Sequence, residues 1–327
     1  MWIVVKTNMT TQDLSQLPRP APSRRAPATL LEFARSTIPT PKLITPRKGL
    51  VEFGIETRLL KRVLAPIEGI EVYPRVVIGP DGLRATALGN LPTLSCTVIL
   101  SRAEFRGMRC DGHAIEARLD SAEVLRILKT PAFPDALIVQ ASIDTTTGPR
   151  PVLSLGFRNR ERGTRTAFRI KCPSDNDRPA TNAPDDCPVV TFDTTSRVLK
   201  AISSFAGCQG VLSLRAGQAA DGSQFAASFA DDDTSGEMSL EGKATIQRFE
   251  VPGSTARLRA SLFRKAVKHV TGLPGKLNAP VQVDVLASGG ARLTAAFHKG
   301  SSIAMTLPAV PDGEDVHDEP VEEEEDE

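Results

Sequence analysis

Cys110, Asp111 and His113 fall within four residues and hold the side chains of a nucleophile and a base. They sit in and just after a polar turn, Arg109-Cys110-Asp111, between two strand-like runs. The turn is read as a connection, and no catalytic residue is assigned. Asp231, Asp232 and Asp233 have the chemistry of metal ligands, but at a hairpin turn they read as solvated carboxylates, so no metal site is expected. Neither a G-x-x-x-x-G-K-S/T loop nor a G-x-G-x-x-G after a strand is present, so nucleotide hydrolysis has no equipment and no cofactor is expected. What remains is charge at regular spacing: Arg58, Lys61 and Arg62; Arg126 and Lys129; Arg197 and Lys200; Arg264, Lys265 and Lys268. Cations three or four apart share a helix face, and four such stripes of one sign, without interleaved aromatics, would attract phosphates without reading bases. His269, beside Lys268, is read as one more residue of that cationic face.

Four short helices must carry these stripes. Glu56–Leu64 turns Leu59, Leu60, Val63 and Leu64 inward and is ended by Pro66 and Gly69. A second helix follows the N-cap residues Asp120 and Ser121, with Val124, Leu125 and Leu128 on one face. Thr194–Phe205 and Leu258–Val270 supply the other two. Between them, alternating apolar and polar residues predict strands at 51–55, 71–78, 83–88, 93–100, 114–119, 136–143, 152–157 and 166–170. The pattern then repeats, with strands at 189–192, 211–215, 225–229, 237–240, 245–249, 281–286, 291–297 and 302–307. The second half copies the first in element order, an internal duplication.

The formal net charge of +1 is a sum of unlike segments. Residues 312–327 hold eleven carboxylates and no Lys or Arg, and without them the chain carries +12. Half of that excess lies in residues 1–49, a Pro-rich segment read as a disordered basic arm. The basic body and acidic end suggest a polyanionic partner. Residues 172–187 contain Pro, Asp and Asn but no large apolar residue and read as an interdomain linker. The expected division is an arm at 1–49, domains at 50–171 and 188–310, the linker, and an acidic disordered tail at 311–327. The five widely spaced cysteines read as reduced thiols of an intracellular protein. No apolar run approaches the ~20 residues of a membrane span, and no membrane partner is expected.

From about Leu50 to Val310 the chain resembles the sliding clamps of the proliferating cell nuclear antigen family. The residues that carry the resemblance are Arg109-Cys110-Asp111, Leu119-Asp120-Ser121 and Arg126-Ile127-Leu128-Lys129, with Leu60-Lys61-Arg62-Val63-Leu64 in the first helix. The duplication, the linker and the acidic end agree with it. The resemblance implies an α+β, two-domain DNA clamp fold, each domain with antiparallel sheets outside and two short basic helices facing the hole of a ring. It implies a homotrimer around double-stranded DNA, bound without sequence preference, that tethers DNA polymerase and other replication and repair proteins. A clamp loader and peptide-motif partners belong to the same picture, as does nuclear localisation, or the site of viral DNA replication for a viral chain.

By position in that family, ring closure would pair an edge strand containing Val152, Leu153, Leu155 and Phe157 with one containing Glu237, Met238, Ser239 and Leu240. The partner-peptide pocket would draw on Leu91, Thr93, Met305, Thr306 and Pro308. The aromatic residues usual at that pocket are absent here. The lysine that eukaryotic members modify falls at Ala220, and the basic arm lies outside the family pattern. Two alternatives remain: a subunit of a heterotrimeric checkpoint-type clamp, and a monomeric DNA-binding accessory factor.

Overall fold

The structure, a computed structural model, describes residues 47–90, 93–111, 113–129, 136–144, 150–159, 164–173, 186–206, 210–219, 222–230, 235–239, 245–249, 254–273 and 278–311. The acidic tail, most of the basic arm and most of the linker lie outside the described residues.

The first half runs β1 (Arg47–Glu56), α1 (Thr57–Glu68), β2 (Arg75–Gly79), β3 (Gly82–Leu88), β4 (Ser95–Ser101), β5 (Arg106–Cys110), β6 (Ile115–Arg118), α2 (Ser121–Leu128), β7 (Ala136–Asp144), β8 (Arg150–Asn159) and β9 (Thr164–Lys171). The second runs β10 (Pro188–Thr195), α3 (Ser196–Phe205), β11 (Val211–Ala219), β12 (Gly222–Ala230), β13 (Ser235–Ser239), β14 (Thr245–Phe249), β15 (Thr255–Arg259), α4 (Ala260–Gly272), β16 (Pro280–Leu286), β17 (Ala291–Phe297) and β18 (Ser301–Leu307). Element for element, the halves match.

The strands form three sheets, ordered β5-β1-β7-β8-β9, β14-β10-β16-β17-β18-β4-β3-β2-β6 and β13-β12-β11-β15. The duplication is visible in these orders. The five strands β14-β10-β16-β17-β18 repeat β5-β1-β7-β8-β9, and β15-β11-β12-β13 repeats β6-β2-β3-β4. The nine-stranded sheet is therefore a five-stranded sheet of the second half joined to a four-stranded sheet of the first through the antiparallel pair β18–β4, in which Met305 faces Cys96.

One row of paired residues, Phe192, Val283, Leu293, Met305, Cys96 and Ala87, crosses that junction, and every member is buried. Alternation along the strands of this sheet puts further core residues, among them Ala85, Val98, Ala295 and Ile303, on the same face. The helices cover it: α1 packs on β3 and β4, α4 on β17 and β18, and α3 on β10. At one end the halves are also laced together. Ser101 N donates to Ser301 Oγ (3.1 Å), Lys299 Nζ to the Ala103 carbonyl (3.1 Å), and His298 Nδ1 lies 3.2 Å from Glu104.

Three local expectations are corrected. Arg109 and Cys110 belong to strand β5, held by pairing of Cys110 with Val51 and Arg109 with Glu52. Leu258 lies in β15, paired with Leu212, and the helix begins only at Ala260. Pro66 does not end α1, which continues to Glu68 and is capped at Gly69; proline keeps the helical φ and forfeits one hydrogen bond in the last turn. In the β2–β3 turn Gly82 has φ +139° and a Cβ there would meet the Leu100 carbonyl at 2.0 Å, so the close approach of β4 requires glycine.

Candidate nucleic-acid interface

Each helix divides its residues cleanly between core and solvent. Leu60, Val63, Leu64 and Ile67 of α1 are buried, whereas Arg58, Lys61 and Arg62 are exposed. Asp120 Oδ1 caps α2 by accepting from Glu123 N (2.9 Å), and the helix buries Val124, Leu125, Ile127 and Leu128 while Arg126 and Lys129 stay in solvent. Thr195 caps α3 through Val198 N (3.4 Å); Leu199 and Ile202 point inward and Arg197 and Lys200 outward. In α4, Phe263, Ala266, Val267 and Val270 are buried and Arg264, Lys265 and Lys268 exposed. All ten cations singled out in the sequence thus stand on the solvent side of their helices, of which α1, α3 and α4 pack on the face of the nine-stranded sheet and α2 packs against α1.

The helices are also neighbours. α1 packs against α2 and α3 against α4. Arg62 of α1 donates to the Gly272 carbonyl at the C-terminus of α4, where a cation meets the negative end of the helix dipole. The basic side therefore runs α2, α1, α4, α3. Arg126 makes a bidentate pair with Glu123, Nε to Oε2 at 2.7 Å and Nη2 to Oε1 at 2.7 Å. That hydrogen-bonded partner raises Arg126 above the ordinary arginine value and holds Glu123 below the usual carboxylate range. His269 is corrected. It is half-buried, and burial, followed by repulsion from Lys268 and Lys265, lowers its pKa, so it stays neutral at neutral pH and adds no charge to the stripe.

The expected edge strand at Val152, Leu153, Leu155 and Phe157 is also corrected. These residues lie in β8, hydrogen-bonded on one side to β7 and on the other to β9, and their side chains are buried. Among the described strands β9 is bonded only to β8 and forms an edge of that sheet. Glu237, Met238 and Ser239 do lie on a free edge, β13, bonded only to β12 among the described strands; Leu240 lies outside the described residues.

Of the pocket residues, Leu91 lies outside the described residues. Thr93, Thr306 and Pro308 are half-exposed. Met305 is corrected, because it is buried in the row that crosses the β18–β4 junction and offers nothing to a bound peptide. Cys110 and His113 are joined by a contact of Cys110 Sγ with the His113 carbonyl at 3.6 Å, with no imidazole involved. Among the described residues no group of three or more His, Cys, Asp or Glu is placed to hold a metal, and no helix is long and apolar enough to cross a membrane. Asp231–Asp233 lie outside the described residues.

Paired antiparallel sheets in two repeats, with two short helices per repeat on one side, define the α+β architecture of a clamp-type fold. Among solved structures the chain is similar to A. fulgidus PCNA bound to the C-terminal region of FEN-1, at 12% identity and a TM-score of 0.64, covering 81% of this chain and 100% of that one. It is likewise similar to Proliferating Cellular Nuclear Antigen from Entamoeba histolytica, at 12% identity and a TM-score of 0.60, with the same coverage. The fold is the PCNA-like clamp fold. No protein-family model and no curated protein sequence matches the chain.

Proposed function

We propose that this chain is the subunit of a ring-shaped sliding clamp, a scaffold without catalysis, that encircles duplex DNA and tethers a polymerase and other replication and repair proteins. The observation that carries the reading is the basic side built by α1, α3 and α4 on the nine-stranded sheet, with α2 packed beside α1. Many exposed cations without base-reading side chains give weak, salt-screened, sequence-blind contacts, which a sliding protein needs. Retention on DNA then comes from topology.

Ring closure is supported by the duplication. Inside the chain, the last strand of the second repeat, β18, pairs with β4 of the first. The counterparts of those two strands are β9 and β13, and each has one neighbour only among the described strands. A second copy bringing its β13 to β9 would reproduce between chains the junction already present within one, and would cover both edges. The sequences are complementary: β9 carries Arg165, Arg169 and Lys171, whereas the only charge on β13 is Glu237. This favours a homotrimer over a heterotrimer of unlike chains. Domains at 50–171 and 188–310 are the repeating units of that ring, six in all.

For partners, the A. fulgidus relative with its bound FEN-1 region supports docking of short peptide motifs. With Met305 in the core, such a pocket here would rest on Thr93, Thr306 and Pro308. A clamp loader, and action in the nucleus or at a site of viral DNA replication, complete the reading. The test is the mass of the purified chain and its behaviour on DNA. Three times 35.1 kDa, with retention on circular but not linear DNA after loading, is expected. A stable monomer that trimerises only with different chains would instead establish the checkpoint-type clamp. A monomer whose mass and function ignore mutation of β9 and β13 would establish a DNA-binding accessory factor.

A further inference from the structure

The duplication fixes where each repeat is entered and left. Phe53 pairs with Val139 as Phe192 pairs with Val283, and Leu155 pairs with Phe168 as Leu293 pairs with Met305. Arg47, six residues before Phe53, is therefore equivalent to Asp186, six before Phe192, and Pro173, five after Phe168, is equivalent to Val310, five after Met305. Arg47 opens β1 and Asp186 leads into β10, while Pro173 follows β9 and Val310 follows β18. Backbone and side-chain bonds hold these points. Ser288 N donates to Asp186 Oδ1 (3.3 Å) and Ala287 N to the Cys187 carbonyl (3.0 Å) where the second repeat is entered. Cys172 N donates to the Pro151 carbonyl (3.3 Å) where the first is left, and Val310 N to the Arg257 carbonyl (2.8 Å) where the second is left.

Within one chain, Pro173 and Asp186 are joined by the twelve residues 174–185, so the gap between them is at most about 45 Å. The repeats they connect are joined edge to edge, the four-stranded end of the first (β4) against the five-stranded end of the second (β18). In the proposed ring, the four-stranded end of the second repeat (β13) meets the five-stranded end of the next chain's first repeat (β9). The second repeat therefore stands to the next chain's first repeat as the first stands to the second within a chain. By the same equivalence, Val310 of one chain stands to Arg47 of the next as Pro173 stands to Asp186. That second gap is flanked by residues 312–327 on one side and residues 1–46 on the other. The former hold eleven carboxylates and no Lys or Arg; the latter hold Lys6, Arg19, Arg24, Arg25, Arg35 and Lys42 against Asp13 and Glu32.

We infer that residues 312–327 of one chain bind residues 1–46 of the next, carboxylates on lysines and arginines, and complete between chains the connection that residues 174–185 make within one. The inference rests on the ring reading. Sixteen residues reach about 55 Å, further than the gap requires, and the two segments are opposite in charge. Each such pair is weak in water, but tethering both segments beside the same boundary raises their effective concentration.

The test is zero-length carbodiimide cross-linking in rings made by co-expressing two full-length versions, one parental and one carrying Asn8→Gln, Thr45→Ser and Val321→Ile as mass markers. Native mass spectrometry counts the chains. A cross-link joining a carboxylate of 312–327 to Lys6 or Lys42, with the markers on one side only, is expected. It should fall about fivefold when both versions also carry Arg19→Glu,Arg24→Glu,Arg25→Glu, with trimer mass unchanged. Trimers that give no such cross-link, that give it only within one version, or that join the segment to Lys61, Lys129, Lys265 or Lys268 in its place would overturn the inference and leave the ring standing. A chain that stays monomeric would overturn both.

Discussion

Arg118 and Glu71 form an ion pair with side chains only 13% and 10% exposed, and Glu71 also accepts from Leu88 N (2.9 Å) at the end of β3. A charge so enclosed is costly when its partner is removed, because the survivor stays desolvated. Glu71→Ala is expected to lower stability by about 3 kcal/mol, with chemical denaturation as the readout, and Glu71→Gln by less, since an amide oxygen still meets Leu88 N. Glu116 behaves differently. The hydrogen bond from Arg75 is the main cause that lowers its pKa below 4.5, with burial opposing, so its folded value lies under its unfolded one. Its contribution is therefore complete above the unfolded value and disappears as pH falls through 4.5 and below the folded value. The stability gap between the parent and Glu116→Gln should be constant from neutral pH to about pH 6 and close in acid; because the pair is largely solvated, the gap is expected to stay below about 1 kcal/mol. A gap that widened in acid would contradict the assignment.

At the scale of elements, the sequence made the helices legible because period-3.6 burial and cationic spacing coincide in each, and all ten stripe residues are exposed as that spacing requires. Strand existence was equally readable wherever alternation was strong. Strand neighbours were not. β8 and β9 both alternate, and the apolar side of Leu153, Leu155 and Phe157 looked like an interface when it was core, since alternation reports that one face is buried and not by what. The cue that was available is charge, as β9 carries Arg165, Arg169 and Lys171, the kind of residues that protect edges. β5 is not legible in the sequence, because Arg106-Gly107-Met108-Arg109-Cys110 lacks an apolar period and is held by its pairing with β1. Helix-level expectations follow from the same division. Asp120→Ala removes the cap of α2 and should cost about 1 kcal/mol in thermal or chemical unfolding. Lys200→Ala and Lys265→Ala, which leave the buried faces intact, should each weaken DNA binding for all sequences alike and reduce the salt slope by roughly one unit for each phosphate no longer neutralised. Arg126→Ala should have a smaller effect, because Arg126 already spends its guanidinium on Glu123.

For the whole molecule, the duplication supplies more than the idea of a ring; it supplies a register. Leu293 pairs with Met305 in the second repeat as Leu155 pairs with Phe168 in the first, so Met305 and Phe168 are equivalent. Ala87 pairs with Cys96 as Phe229 pairs with Gly236, so Cys96 and Gly236 are equivalent. In the proposed ring the internal pair Met305–Cys96 would be reproduced by Phe168 against Gly236 between chains, with Ala167 opposite Glu237 and Thr166 opposite Met238. Two chemical details agree with this register. The half-buried Phe168 meets a residue without a side chain, and Glu237 stands one diagonal step from Arg169, within reach of a long cation. In a Cys187→Ser background, which removes an exposed thiol, the cysteine pairs Ala167→Cys with Glu237→Cys, or Thr166→Cys with Met238→Cys, should oxidise into covalent species that end at three chains on a non-reducing gel. The pair Ala167→Cys with Ser235→Cys, out of register by two residues, should not. Trimer mass without these cross-links would refute the register while sparing the ring, and monomer mass in every variant would refute the ring itself.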